Sequence, residues 1–318
     1  MSHRLWLNCL AVVLIIPGIA RAGIIYVNNI VGDDRANGQF PDMGTAGDGP
    51  VATLARALQL ARGTDSIAIA NTGEAYLESV TLDGPDLAGT VAHPFVIEGN
   101  GAVLRGTRAL PASVWRRVSA YTYSYQPYRK GHYQLVVDGK LLPEINSDPA
   151  SATPPSLEPL TWCAHRGMVY FRVEPTRFID QYEFEVPQYD VGLGFHNARN
   201  VIVRNLNIEQ FRLDGVAVTG NSRNIRLLNI RSTGNGRAGL SVSGTSQVQV
   251  GGLDVAGNRV ADRLELLMGK ITDLPQAQVP PRPIPVLWDL NSGRYVQILS
   301  SPSGISVETA RTDSAARR

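Results

Sequence analysis

NARNVIVRN, from Asn197 to Asn205, returns 24 residues later as NSRNIRLLN, from Asn221 to Asn229. In this register Val201 lies over Ile225, Val203 over Leu227 and Asn205 over Asn229. A second pair matches at the same step, DGVAVTG (Asp214 to Gly220) over AGLSVSG (Ala238 to Gly244). A third copy, one residue shorter, runs TSQVQVGGLDVAGN from Thr245 to Asn258. A step of this length holding two or three short alternating strands, each cut by Gly or Asn, suits a parallel β-solenoid with one coil per repeat. A leucine-rich horseshoe would set its asparagine in a denser leucine frame than this Val/Ile/Asn/Gly mixture. Alternation points Val201, Val203, Leu206 and Ile208 into one coil, Ile225, Leu227 and Ile230 into the next, and Val248, Val250, Leu253 and Val255 into the third. Equivalent positions then stack about 4.8 Å apart. Asn205 and Asn229 are expected at an inward bend, their amides satisfying backbone groups that leave the sheet, with Gly252 ending the ladder.

Upstream, residues 1–22 stand outside the folding argument. His3 and Arg4 precede an uncharged apolar run from Leu5 to Ile19, and Ala20-Arg21-Ala22 offers small residues at both positions of a cleavage site. The run is short for a membrane span. The expectation is a secretory signal peptide cleaved near Ala22, a secreted or periplasmic protein, and no membrane span afterwards. The lipoprotein alternative is weak because Cys9 lies inside the apolar stretch. Cleavage removes two of the 30 basic residues and none of the 28 acidic ones, so the remaining chain is near neutral. Without a global positive field, nucleic acid is a poor partner. One cysteine, Cys163, is left, so no disulfide framework forms and stability must come from the core.

Between Ile24 and Leu82, IYVNN (Ile25 to Asn29), the loop GDDRANG (Gly32 to Gly38), GPVATLARALQLARGTDSIAI (Gly49 to Ile69) and AYLESVTL (Ala75 to Leu82) follow in order. As an ordered set they resemble the amino-terminal cap of secreted right-handed β-helix proteins of the pectin-lyase-like superfamily. Leu54, Leu58 and Ala61 fall on one face of a helix expected from about Ala52 to Arg62 and ended by Gly63. Such a helix covers the open end of the first coil. Asp33, Asp34, Asp42 and Asp48 are read as turn residues rather than a calcium loop, since the alternating carboxylate spacing is missing. No cofactor is therefore expected, calcium being unsupported.

SIAIA (Ser66 to Ala70), SVTL (Ser79 to Leu82), PFVIEG (Pro94 to Gly99) and AVLRG (Ala102 to Gly106) supply a first coil, after which the repeat stops. Candidate hairpins replace it: YTYSY (Tyr121 to Tyr125), YQLVVDGKLL turning at Asp138-Gly139, and TWCAHRGMVYFRV turning near Arg166-Gly167, with a Pro/Ser-rich loop from Ser147 to Pro159. An antiparallel β-domain inserted over residues 110–187 follows, and some carbohydrate-active β-helix enzymes look similar here, with a strand resembling QLVVDGK. The expected division is a signal peptide at 1–22, cap and first coil at 23–109, the insert, coils at 188–258, and a C-terminal cap, hairpin and disordered tail at 259–318. ADRLELLMGK (Ala261 to Lys270) reads as a short plugging helix, and TARTDSAARR as the disordered tail. The fold class expected is all-β, a right-handed parallel β-helix with a capping helix and an inserted antiparallel domain.

No specific catalytic motif is present. GxSxG, HExxH, a phosphate loop and a cysteine pair are all missing, and His93, His132, His165 and His196 lack ligand spacing. A solenoid offers instead an elongated outward face suited to a linear polymer. The repeat makes Asp214 and Arg237 diagonal neighbours at one groove edge, with Glu209, Arg212 and His196 in the loops around them. Asp214, Arg237 and Glu209 are the catalytic candidates, an acid beside a base or second acid for β-elimination or glycosidic hydrolysis; a surface ion pair is the bland alternative. Tyr121, Tyr123 and Tyr125, followed by Tyr128, Arg129, Lys130, His132 and Tyr133, form either a sugar-stacking rim with His196 and Arg212 among the contacts, or a structural face. The resemblance implies a polysaccharide lyase or glycoside hydrolase working as a monomer on an extracellular polysaccharide. The small coil count favours the alternative, a non-catalytic glycan-binding or structural envelope protein.

Overall fold

The computed structural model describes residues 23–45 and 47–281 in full, and beyond them the backbone of Val286–Asp289, Arg294–Ser301 and Gly304–Thr309. The signal peptide expected at 1–22 lies outside the described residues, as does the expected disordered tail apart from Thr309, which ends a strand.

The repeat is one coil of a right-handed parallel β-helix. A seven-stranded sheet, a five-stranded sheet and a four-stranded sheet run along its axis, and every neighbouring pair in them is parallel. Apolar residues stack in columns: Ile67 meets Ile97, Ile97 meets Val203, Val203 meets Leu227, and Leu227 meets Val250. All five are sealed from solvent, and each such side chain contributes about 1.5–3 kcal/mol on burial.

The asparagines that punctuate the repeat are there for backbone reasons. Asn205 and Asn229 adopt φ of 57° and 53°, and Gly252 takes 65° at the equivalent place. Asn and Gly tolerate this left-handed bend best. Their amides, however, mostly pair along the ladder: Asn229 Nδ2 donates to Asn205 Oδ1 (3.2 Å) and Asn205 Nδ2 to Glu98 (2.8 Å), with one backbone contact from Asn229 to the Pro280 carbonyl (3.0 Å). The amides that serve the chain turning inward are Asn235 and Asn258. Asn235 Oδ1 accepts the Phe211 N–H and Asn258 Oδ1 the Asn235 N–H, both at 3.0 Å.

At the amino-terminal end a helix, Leu54–Leu60, packs Leu54 and Ala57 into the core. Thr53 caps it through the Arg56 N–H (3.0 Å), and the Glu78 carboxylate accepts the Leu54 and Ala55 N–H groups (2.8 and 3.0 Å). Gly63 does not terminate it; the chain turns extended at Ala61. Gly63 instead allows close approach, because a Cβ there would lie 2.4 Å from the Ala88 carbonyl oxygen. Asp34 accepts the Ala52 and Thr53 N–H groups, and Asp33 that of Arg35, so these two carboxylates hold turns.

After Arg105 the chain leaves the solenoid, and it re-enters at Val191. The excursion starts earlier than expected, with a strand at Thr107–Leu110, and its neck is closed by the Gln188 N–H on the Gly106 carbonyl (2.7 Å). Two four-stranded antiparallel sheets share one apolar cluster that includes Trp115, Leu135, Trp162, Phe171 and Phe184. Asp138-Gly139 and Arg166-Gly167 turn two of the hairpins with positive φ at both residues, the conformation of a type I′ turn.

The helix expected at Ala261–Lys270 is absent. Ala261–Glu265 adds a parallel strand beside Ala238–Val242, and Lys270–Asp273 one beside Gln247–Gly251. The reason is the open edge of the preceding coil: Leu266, Met268 and Lys270 donate to the carbonyls of Val242, Gly244 and Ser246, and this pairing overrides local helix preference. Polar residues now occupy the register beneath apolar columns, Arg263 under Leu240, Glu265 under Val242 and Asp273 under Val250, and Arg263 pairs with Asp273 at 2.8 Å. Beyond them the expected single hairpin is a three-stranded antiparallel sheet.

Candidate functional site

Asp214 and Arg237 do meet. The repeat sets the Arg237 N–H on the Leu213 carbonyl at 2.7 Å and brings its guanidinium onto the next side chain, Nε to Asp214 Oδ1 at 2.8 Å, with Nη2 also bonding Oδ2. Ser241 Oγ donates to Oδ2 at 2.7 Å. The pair is not, however, at an open groove edge, since Asp214 is 0% exposed. Strand pairing passes over Gly215, where a Cβ would lie 2.0 Å from the inward Ser232 Oγ; the glycine faces the core and turns Asp214 to the opposite side, under Arg237 and Ser241. With both oxygens taken, this carboxylate has a structural bond pattern. Its hydrogen bond raises the Arg237 pKa further above the ordinary guanidinium range.

The other catalytic and binding candidates disperse. Glu209 pairs with Arg105 at 2.7 Å on the four-stranded sheet. His196 ends the Val191–His196 strand, Nδ1 at 3.0 Å from Thr219 Oγ1, while Asp214 aligns with Val191 at the other end, about 16 Å away along the strand. Tyr121 is exposed, Tyr123 packs on the insert core, and Tyr125 is buried with its ring 4.7 Å from Trp115. Tyr123 and Tyr125 thus share the core-facing side of the Thr122–Tyr125 strand, Tyr121 stands exposed just before it, and of the three Tyr125 lines a cavity.

That cavity lies where the insert docks on the coils. Arg212, Gly236 and Arg259 stack on successive coils, as the Gly236 N–H bonds the Phe211 carbonyl and the Arg259 N–H that of Asn235. The insert segment from Arg129 to Gln134 clasps this ladder. Asp190 Oδ1 binds both Arg129 Nη1 and Arg212 Nε at 2.6 Å; His132 Nδ1 sits 2.9 Å from the Gly236 carbonyl; Gln134 Nε2 donates to Gly234 at 2.7 Å; and Arg259 Nη1 donates to the Tyr133 carbonyl at 3.2 Å. The middle rung must be glycine, because a Cβ on Gly236 would lie 2.1 Å from the Arg212 carbonyl oxygen and 3.3 Å from His132 Cβ. The hydrogen bond from Arg212, above all, holds the Asp190 carboxyl below the usual carboxylate range.

Beside the clasp a cavity of about 340 Å³ is lined by Arg108, Tyr125, Tyr128, Arg129, His132, Tyr133, Gln134 and Arg212 among others, and none of its lining residues is an Asp or Glu. Burial pushes the Tyr125 phenol far up, next to Tyr133 and Arg108. Arg108 makes no ion pair among the described residues. A second cavity of about 410 Å³ on the far side of Tyr133 and Gln134 holds Trp162, Glu144 and Arg259. There Arg259 Nη2 lies 2.6 Å from Glu144 Oε2, a charge contact without hydrogen-bond alignment, and burial raises the Glu144 pKa. Among the described residues no three His, Cys, Asp or Glu side chains converge as metal ligands. Sequence reading singled out Arg129, His132 and Tyr133 but not Arg108, Gln134 or the docking. The available signal was the spacing of Arg212, Gly236 and Arg259, one coil apart.

No family model and no curated protein matches the chain. Among solved structures, a glycoside hydrolase is similar at 15% identity with a TM-score of 0.51, covering 77% of this chain and 67% of its own. The complex of XylC with xylose matches at 10% identity and 0.40 (90% and 73% covered), and pectate lyase Pel9A at 13% and 0.33 (76% and 58% covered). The first likeness and the stacked parallel coils establish a parallel β-helix fold. Among the described residues no helix is long and apolar enough to cross a membrane.

Proposed function

We propose that the protein is a secreted carbohydrate-active β-helix protein that takes an extracellular polysaccharide into the cleft between the inserted β-domain and the coil edges, acting on it as a lyase or glycoside hydrolase. The observation that carries this reading is the clasp: two cavities share Tyr133 and Gln134 as a common wall beside the coil residues Arg212 and Arg259, and both are lined by arginines and aromatic rings. Concave sites of a few hundred Å³ with convergent polar groups are where ligands bind. Likeness of fold to a glycoside hydrolase agrees with it as analogy. Non-catalytic glycan binding is the second reading, favoured by the burial of Asp214, the strongest acid candidate in the sequence. A polysaccharide panel read for unsaturated uronate absorbance and for new reducing ends tests both. Product in either channel supports an enzyme, binding without product supports the second reading, and no binding to any glycan rejects both.

A further inference from the structure

The amino-terminal end of the solenoid presents an edge of each parallel sheet, and two of these edges are closed by the chain itself. On the seven-stranded sheet the outer edge of Ile24–Val27 is taken up by the cap loop: the Tyr26 N–H bonds the Gly38 carbonyl (2.8 Å), the Val51 N–H that of Tyr26 (2.9 Å) and the Asn28 N–H that of Val51 (2.8 Å). On the four-stranded sheet Tyr76 closes the edge of Val103–Arg105, donating to the Val103 carbonyl (2.8 Å) and accepting the Arg105 N–H (2.9 Å). The five-stranded sheet is left open. Its last strand, Val80–Asp83, pairs with Val191–His196 on one side and with no described strand on the other.

The open side carries unmet hydrogen bonds. The Gly84 N–H bonds the His196 carbonyl at 2.9 Å, so Gly84 and Leu82 turn toward Val191–His196. Alternation along the strand then turns the N–H and C=O of Thr81 and Asp83 the other way, and no described residue bonds them. They face a groove of about 750 Å³ whose far wall is the capping helix. Leu58, Ala61 and Leu87 give the groove an apolar side, and Asp83 and Asp86 stand exposed at its rim without an ion pair among the described residues. Arg62 also lines it but is tied down, its Nη1 donating to the carbonyls of Gln59, Leu60 and Ala61 at 3.3, 3.2 and 2.8 Å. None of these residues belongs to the clasp.

We infer that this groove is a docking site for an extended basic peptide of a partner protein, which adds to the Val80–Asp83 edge as a further strand. The free backbone groups of Thr81 and Asp83 recur about 6.6 Å apart, the spacing of alternate residues on another strand. Main-chain pairing to a free sheet edge supplies affinity, and the pockets met by alternate side chains supply selection. A basic residue directly across from Asp83 shares its face of the sheet and offsets the two unpaired carboxylates. The residues between them meet the apolar side of the groove. A second copy is a worse occupant, because a two-fold axis at this edge brings the Asp83 and Asp86 carboxylates of both copies together.

The test titrates the full chain with the acetylated, amidated peptide Thr-Val-Arg-Val-Arg-Val-Thr, following heat by calorimetry and amide exchange residue by residue. Saturable binding is expected, with exchange slowed at Thr81 and Asp83. Glutamate in place of both probe arginines should weaken it about tenfold or more, and N-methylation of the probe throughout, which removes its donors, should abolish it. Thr81→Pro deletes one groove-facing N–H and no ladder bond, a change that edge strands accept. It should leave the melting temperature near that of the parent and weaken the probe about fivefold or more. Asp83→Asn combined with Asp86→Asn should weaken it about fivefold and flatten its salt dependence. Absence of heat and of protection up to millimolar probe would overturn the site. So would binding that survives N-methylation of the probe, which is charge attraction without strand addition. Dimers in ultracentrifugation that Thr81→Pro dissolves would overturn the peptide in favour of a second copy.

Discussion

Asp214→Ala is the sharpest check on the fold argument. The change strips Arg237 of a bidentate partner and Ser241 of its acceptor. Removing one member of a buried pair costs about 3–5 kcal/mol. Because the Arg237 side chain keeps 32% of its exposure, water partly compensates and the lower end, about 3 kcal/mol, applies. At about 2–4 °C per kcal/mol for a domain of this class, the melting temperature should fall by about 6–12 °C. Arg237→Ala leaves the fully buried carboxylate unpaired and should cost more, near about 5 kcal/mol. Calorimetric melts and denaturant midpoints measure both, alongside glycan affinity, which should hold below the melt. An Asp214→Ala protein melting within about 2 °C of the parent but stripped of turnover would refute the reasoning, since its carboxylate would then serve chemistry rather than the solenoid.

Three further outcomes follow from the same contacts. Gly236→Ala drives a methyl group into the Arg212 carbonyl and should cost about 1–3 kcal/mol or more while abolishing glycan binding, read by melts and calorimetry. Asn235→Ala strands the buried Phe211 N–H and should destabilise by about 1–3 kcal/mol in urea titrations, with hydrogen exchange rising first at Phe211. The folded pKa of Asp190 is depressed below its ordinary 3.8 by Arg212, so its contribution is complete above that value and is lost as pH falls through the folded pKa. The melting difference between wild type and Asp190→Asn, measured across pH, should therefore be full near neutrality and shrink only below pH 3.8.

The solenoid was legible because its information is periodic. A 24-residue step fixes which residues stack, so the core columns and even the contact of Arg237 with Asp214 followed from counting. What counting does not report is which side of the sheet a residue takes once glycines such as Gly215 are skipped, and that detail moved Asp214 from an open groove into a sealed pocket. The last coil was misread for a related reason: ADRLELLMGK looks helical alone, and only the unpaired edge beside it makes it strand. The cleft was least legible, since Arg108 and His132 belong to an insert whose docking depends on side-chain contacts with carbonyls of distant coils.

The insert also sets an order of assembly. Arg105 and Glu209 touch on neighbouring coils although they lie 104 positions apart, and Val80 must find Leu193 across the same insert. Closing so long a loop adds only about 1 kcal/mol over closing one coil, so the final state hardly registers it. Time does. While the chain is being made, the sheet edges of Phe95–Glu98 and Val103–Arg105 wait without their later partners until the whole β-domain has emerged, and the capping helix guards only the opposite end. Unpaired edges of this kind recruit strands from other molecules, and non-local pairings form slowly. The Gln188 to Gly106 bond at the neck joins the two ends of the insert at the place where the second coil lands on the first.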